Sequence, residues 1–80
     1  MPKILIIDDE KIIRHTLKEI LEYENYQIFE AQDGEEGIRM IENEDFDLVL
    51  CDVKMPKMDG IEVLDKANTL ENPPQFIMIS

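Results

Sequence analysis

Four apolar residues, Ile4-Leu5-Ile6-Ile7, run without interruption and stop at Asp8-Asp9. A short apolar run with no polar alternation suits a strand buried on both faces, as in a parallel sheet. Ile12, Ile13, Leu17, Ile20 and Leu21 then recur at helical spacing, with Lys11, Arg14, Lys18, Glu19 and Glu22 between them. This predicts an amphipathic helix from near Glu10 to Glu24-Asn25. Tyr26 to Ala31 reads as a second strand, broken by Asp33-Gly34. Glu35 and Glu36 suit the first turn of a second helix, which buries Ile38 and Ile41 and fades at Asn43-Glu44. Phe46 and then Leu48-Val49-Leu50-Cys51 form a third buried strand, again stopped by an aspartate, Asp52. Val53 to Gly60 is a loop containing Pro56, with Asp59 placed to cap a third helix. Ile61, Leu64, Ala67 and Leu70 supply that helix's expected apolar face, with Glu62, Asp65 and Lys66 outside. Pro73-Pro74 ends it, and Phe76-Ile77-Met78-Ile79 leads as a fourth strand into Ser80.

The order is βαβαβαβ, without repeats or low-complexity tracts. Strands alternating with helices predict a parallel α/β sheet, and ligand sites in such sheets lie at the carboxyl ends of strands. Three of the four strand ends carry a polar group: Asp8-Asp9, Asp52 and Ser80.

Composition narrows the chemistry. At 80 residues the chain is at most one small domain. Its 8 basic and 19 acidic residues give a net charge of −11. A phosphate backbone is repelled by such a surface, so direct nucleic-acid contact is not expected. Cys51 is the single cysteine, which leaves no intramolecular disulfide and no cysteine-based zinc cluster. The apolar run before Asp8 is too short for a signal peptide or a membrane span, so a cytoplasmic, reducing location is the default expectation.

If the first and third strands are neighbours, Asp9 and Asp52 converge at one sheet edge. Carboxylates held together repel one another and raise at least one pKa unless a cation joins them. A hard, oxygen-ligated divalent ion is the natural partner, and Mg²⁺ commonly combines a few carboxylates with water and phosphate. An aspartate can also attack phosphorus to form an aspartyl phosphate. Other titratable residues read more simply. His15 shares the first helix's charged side and reads as solvated, and Cys51 reads as a small core residue. The Glu35-Glu36 and Glu42 to Asp45 acids read as a solvated face.

Two stretches, Ile6-Ile7-Asp8-Asp9-Glu10 and Asp52-Val53-Lys54-Met55-Pro56-Lys57-Met58-Asp59-Gly60, resemble the response-regulator receiver domain of two-component signalling. The likeness covers the whole chain in order. It implies a flavodoxin-like fold, with residues 1–80 an incomplete receiver domain lacking the last helix-strand-helix. It also implies that Asp52 accepts a phosphoryl group from a histidine kinase or phosphotransfer protein. Asp9 would then bind Mg²⁺ directly and Asp8 mainly through water, with the Lys54 backbone carbonyl a further ligand. Ser80 matches the switch hydroxyl and Gly60 the glycine that opens the third helix. The family's lysine on a fifth strand has no counterpart here, and neither Lys54 nor Lys57 is assigned its role. The resemblance implies a phosphoacceptor rather than a turnover enzyme.

Right-handed crossovers put the first helix on one sheet face and the second and third on the other. Apolar surface near the third and fourth strands should therefore be bare, and the fourth strand should be an open edge that invites pairing. Self-association, strand exchange or a covering partner is the expectation. Two competing functions follow: a truncated, non-switching receiver fragment acting as a structural or self-associating module, and an aspartate-dependent Mg²⁺ phosphohydrolase. The second typically needs another aspartate two residues past its nucleophile, where Lys54 stands.

Overall fold

The computed structural model describes residues 1–79. Its elements run β1 (Lys3–Ile7), α1 (Lys11–Tyr23), β2 (Gln27–Ala31), α2 (Gly34–Asn43), β3 (Leu48–Cys51), α3 (Gly60–Ala67) and β4 (Gln75–Met78). The four strands form one parallel sheet in the order β2-β1-β3-β4. The apolar run that opens the chain thus lies in the sheet interior, with Leu5, Ile6 and Ile7 wholly buried. Each such side chain contributes about 1.5–3 kcal/mol relative to exposure.

Alternation along the strands divides the core in two. Ile4 and Ile6 of β1 and Ile28 of β2 face α1, whose Leu17 and Leu21 pack on them. Leu5, Ile7, Ala31, Val49 and Cys51 face the other way, into a larger cluster with Ile41 of α2 and Val63 and Ala67 of α3. Phe46, just before β3, joins that cluster and meets Phe29 edge to face at 5.4 Å between centroids. One helix therefore covers one face and two cover the other, as right-handed crossovers require. On the α1 face Leu50 and Ile77 are register partners, and Ile77 is 51% exposed. Ile13 and Ile20 of α1 are exposed too. The expected bare surface is there, and β4 is a sheet edge.

Local chemistry ends the helices where the side chains allow it. After α1, Asn25 adopts a left-handed backbone (φ 69°), and Asn25 N–H donates to Glu22 O while Tyr26 N–H donates to Leu21 O. This is a Schellman turn, with Tyr26 and Leu21 packed in the same cluster. Asp33 Oδ1 accepts from Glu36 N–H at 2.8 Å and caps α2. Asp59 Oδ1 accepts from Glu62 N–H at 3.0 Å and caps α3, as expected.

The apolar face of α3 needs correction. Val63, not Ile61, is the wholly buried residue, and Ile61 is 49% exposed. A strict every-third-residue stripe drifts around a helix with 3.6 residues per turn, whereas Gly60, Val63 and Ala67 stay on one side. Leu70 lies beyond the end of α3, in a following turn where its N–H donates to Ala67 O, and still packs on the core. Smaller differences fall at element ends. β2 starts at Gln27 rather than Tyr26, β4 runs from Gln75 to Met78, and Glu10 precedes α1 without a side-chain cap.

Candidate functional site

The sheet order makes β1 and β3 neighbours, so their carboxyl ends stand side by side. Asp52 N–H donates to Ile7 O at 2.9 Å, continuing the ladder one step past the strands. Asp8, Asp9 and Asp52 consequently meet. One carboxylate oxygen from each lies within 4.8 Å of the others.

The three are not equivalent. Asp8 is buried, with 2% exposure, Asp52 is half-buried and Asp9 is exposed. Asp8 N–H donates to Ala31 O at 3.2 Å, and its Oδ1 accepts from Glu10 N–H at 2.8 Å. Burial pushes the Asp8 carboxyl above its ordinary value, with smaller contributions from the neighbouring Asp52 and Asp9 charges. The Glu10 N–H and the nearby Arg14 guanidinium act in the opposite direction. Asp52 Oδ1 accepts from Lys54 N–H at 3.3 Å, which orients the carboxylate at the mouth of the pocket. Burial also pushes the Cys51 thiol up to about 12, helped by Asp52, Asp8 and Asp59. Cys51 is a core side chain and stays protonated.

Gly60 closes the wall behind Asp52. Its N–H donates to Val53 O at 2.8 Å. A Cβ here would strike the Asp52 carbonyl oxygen and stand 2.9 Å from Val53 Cα. The start of α3 is pressed against the backbone of Asp52 itself, and only glycine permits that approach.

The donor set suits a hard divalent cation: three carboxylate oxygens at one edge, one of them from a buried aspartate. Lys54 lies beside the pocket through its N–H contact. Ser80 falls outside the described residues. His15 Nε2 is 3.7 Å from Glu30 Oε1 and does not join the acidic cluster.

The helical pattern places Arg14 only among the polar residues between apolar positions, and it gives Glu30 no role. In the structure Arg14 Nη1 donates to Asp8 O at 2.7 Å and its Nε donates to Glu30 Oε1 at 3.2 Å. A signal existed. Glu30 shares the parity of Ile28, so it projects onto the sheet face beneath α1, where a carboxylate requires a cation.

A parallel α/β domain with paired acids after β1 and a further aspartate after β3 is the architecture of a receiver. The description "response regulator receiver domain" matches residues 4–80, and the chain belongs to that family. It is 40% identical over 78 residues to sporulation initiation phosphotransferase F of Bacillus subtilis, covering 98% of this chain and 63% of that protein. It is 51% identical over 61 residues to the transcriptional regulatory protein ResD of the same organism, covering 76% of this chain and 25% of ResD. Among solved structures, a CheY-like receiver domain protein from Methanospirillum hungatei superposes with a TM-score of 0.93 at 44% identity, covering 98% of this chain and 62% of that one. The response regulator TrrA of Thermotoga maritima, solved in complex with Mg²⁺-BeF, gives 0.92 at 37% identity, covering 98% and 68%. The chain thus spans about two thirds of the receivers it matches and a quarter of ResD.

Proposed function

We propose that the chain is a phosphoacceptor of a two-component phosphorelay, with Asp52 the residue that takes the phosphoryl group. The convergence of Asp8, Asp9 and Asp52 within 4.8 Å carries this reading. The Mg²⁺-BeF complex named for TrrA supports Mg²⁺ as the cation. Asp8, Asp9, Asp52 and the Lys54 carbonyl would hold it, and when bound it neutralises charge on the transferring group.

The chain's own residues perform the rest. Lys54 N–H fixes one Asp52 oxygen, and the pocket presents the carboxylate to solvent for in-line approach. A carboxylate oxygen forms the O–P bond as the P–N bond of a donor phosphohistidine breaks. The leaving imidazole nitrogen keeps the electron pair and takes a proton from water. The histidine kinase or phosphotransfer protein is thus the partner, and the chain is its substrate rather than a turnover enzyme. Ser80 is assigned the switch hydroxyl by its place in the family pattern. A cytoplasmic location belongs to this reading, and the charge of −11 argues against direct nucleic-acid contact. No helix among the described residues is long and apolar enough to cross a membrane.

The test is intact-mass measurement after incubation with Mg²⁺ and a small phosphodonor. One hydroxylamine-labile phosphate, absent from Asp52→Asn, is the expected result. Steady phosphate release without a labelled chain would overturn the reading in favour of a hydrolase.

A second reading, a non-switching module that self-associates, is favoured by one observation: Ile77 on the β4 edge is 51% exposed, and Ile13 and Ile20 of α1 are exposed as well. Sedimentation across a concentration series decides it. A dilution-independent monomer rejects it.

A further inference from the structure

We propose that Arg14 is a positioning residue for the acidic pocket, a clamp that ties the β1–α1 loop to β2 and so sets the direction in which Asp9 leaves the strand. The proposal rests on reading the pocket as a cation site.

The geometry is a fork with two different targets. Arg14 stands one turn into α1, and its side chain is only 12% exposed. Nη1 donates to the Asp8 backbone oxygen at 2.7 Å, a charge-assisted length. Nε donates to Glu30 Oε1 at 3.2 Å. Glu30 is in turn gripped by Lys18 Nζ at 3.7 Å from its second oxygen, and His15 Nε2 lies 3.7 Å from the first. Glu30 sits on β2, in register with Ile6 of β1. The guanidinium therefore spans from the sheet to the loop that carries two of the three pocket carboxylates.

The Asp8 carbonyl and the Asp9 N–H belong to one rigid peptide plane. Fixing that oxygen fixes the plane, and with it the path of the backbone into Asp9. Asp9 is exposed, so packing alone does not hold it. The bond from Glu10 N–H to Asp8 Oδ1 holds the other side of the same turn. Lysine cannot reproduce the arrangement, because a point charge on a flexible stem lacks a planar fork for two acceptors.

At Arg14 charge and orientation act in opposite directions. Removing a cation from beside three carboxylates should tighten cation binding by Coulomb's law. Losing the clamp should weaken it.

The experiment uses the full chain. Mg²⁺ affinity is measured by calorimetry, and amide hydrogen exchange is followed without metal by NMR. The wild type is compared with Arg14→Gln, Arg14→Lys, Glu30→Gln and Asp52→Asn. For Arg14→Gln we expect about a tenfold loss of Mg²⁺ affinity, the lower end for residues that orient ligands. Exchange at Asp9 and Glu10 should quicken while the β1 interior is unchanged. Arg14→Lys should fall between, and Glu30→Gln should follow Arg14→Gln. If Arg14→Gln does not fold, Arg14→Lys, which keeps the charge and loses the fork, carries the test. Equal or tighter Mg²⁺ binding by the Arg14 and Glu30 variants, with only a lower melting temperature, overturns the proposal and leaves the pocket reading intact. No Mg²⁺ binding by the wild type, or binding that Asp52→Asn does not weaken, overturns both.

Discussion

Replacing Gly60 with alanine probes the close approach between the start of α3 and the backbone of Asp52. The new Cβ would strike the Asp52 carbonyl oxygen and lie 2.9 Å from Val53 Cα. Carbon atoms at optimal separation stand about 3.5–4.0 Å apart, so the start of α3 must retreat by roughly 0.6–1 Å. Overpacking of that kind costs about 1–3 kcal/mol. The retreat also weakens the 2.8 Å bond from Gly60 N–H to Val53 O, a net loss of about 0.5–1.5 kcal/mol. Alanine recovers up to about 1 kcal/mol of helix propensity. The balance is a loss of about 2–3 kcal/mol from a domain whose whole stability is on the order of 4–12 kcal/mol. In a thermal melt followed by circular dichroism this corresponds to a fall of roughly 10–20 °C. A Gly60→Ala melt within a few degrees of the wild type would refute the reasoning.

Other outcomes follow from single groups. The Asp8 carboxyl is raised above 3.8 by burial, so the folded chain keeps this proton to a higher pH than the unfolded one. In chelator, Asp8's contribution to stability therefore falls as pH rises from about 3.8 through the raised value. Asp8→Asn keeps an oxygen for Glu10 N–H and should melt higher than wild type at neutral pH; a lower melt there contradicts the assignment. Val63→Ala should cost about 2 kcal/mol, whereas Ile61→Ala should cost under about 1 kcal/mol, measured by urea unfolding. The reverse ranking would restore the every-third-residue stripe. Lys57 has a left-handed backbone at φ 69°, so Lys57→Gly should stabilise by up to about 1 kcal/mol. An unchanged or lower urea midpoint would show that the loop relieves this strain by other means.

Much of this was legible in the amino acids alone, because it depends on neighbours along the chain. Apolar runs and helical periodicity determined seven elements in their order. Asp59 signalled a cap, and Asn25 took up the left-handed turn that ended α1. The aspartates after the first and third apolar runs marked the site, since strand ends are where a parallel sheet places its chemistry. Where periodicity was read too rigidly, on α3, the face came out wrong.

Tertiary structure decided what depends on residues distant in sequence. Placing β1 between β2 and β3 brought Asp52 to Asp8 and Asp9 across more than half the chain. The same order set Glu30 beneath Arg14 and turned an apparent surface charge into a clamp on the pocket loop. It pressed Gly60 against Asp52, so that one hydrogen atom became a requirement. Local patterning reflects each segment's own preference for strand or helix. Burial, charge and clearance at the site are properties of segments packed together, and only the assembled sheet and helices determine them.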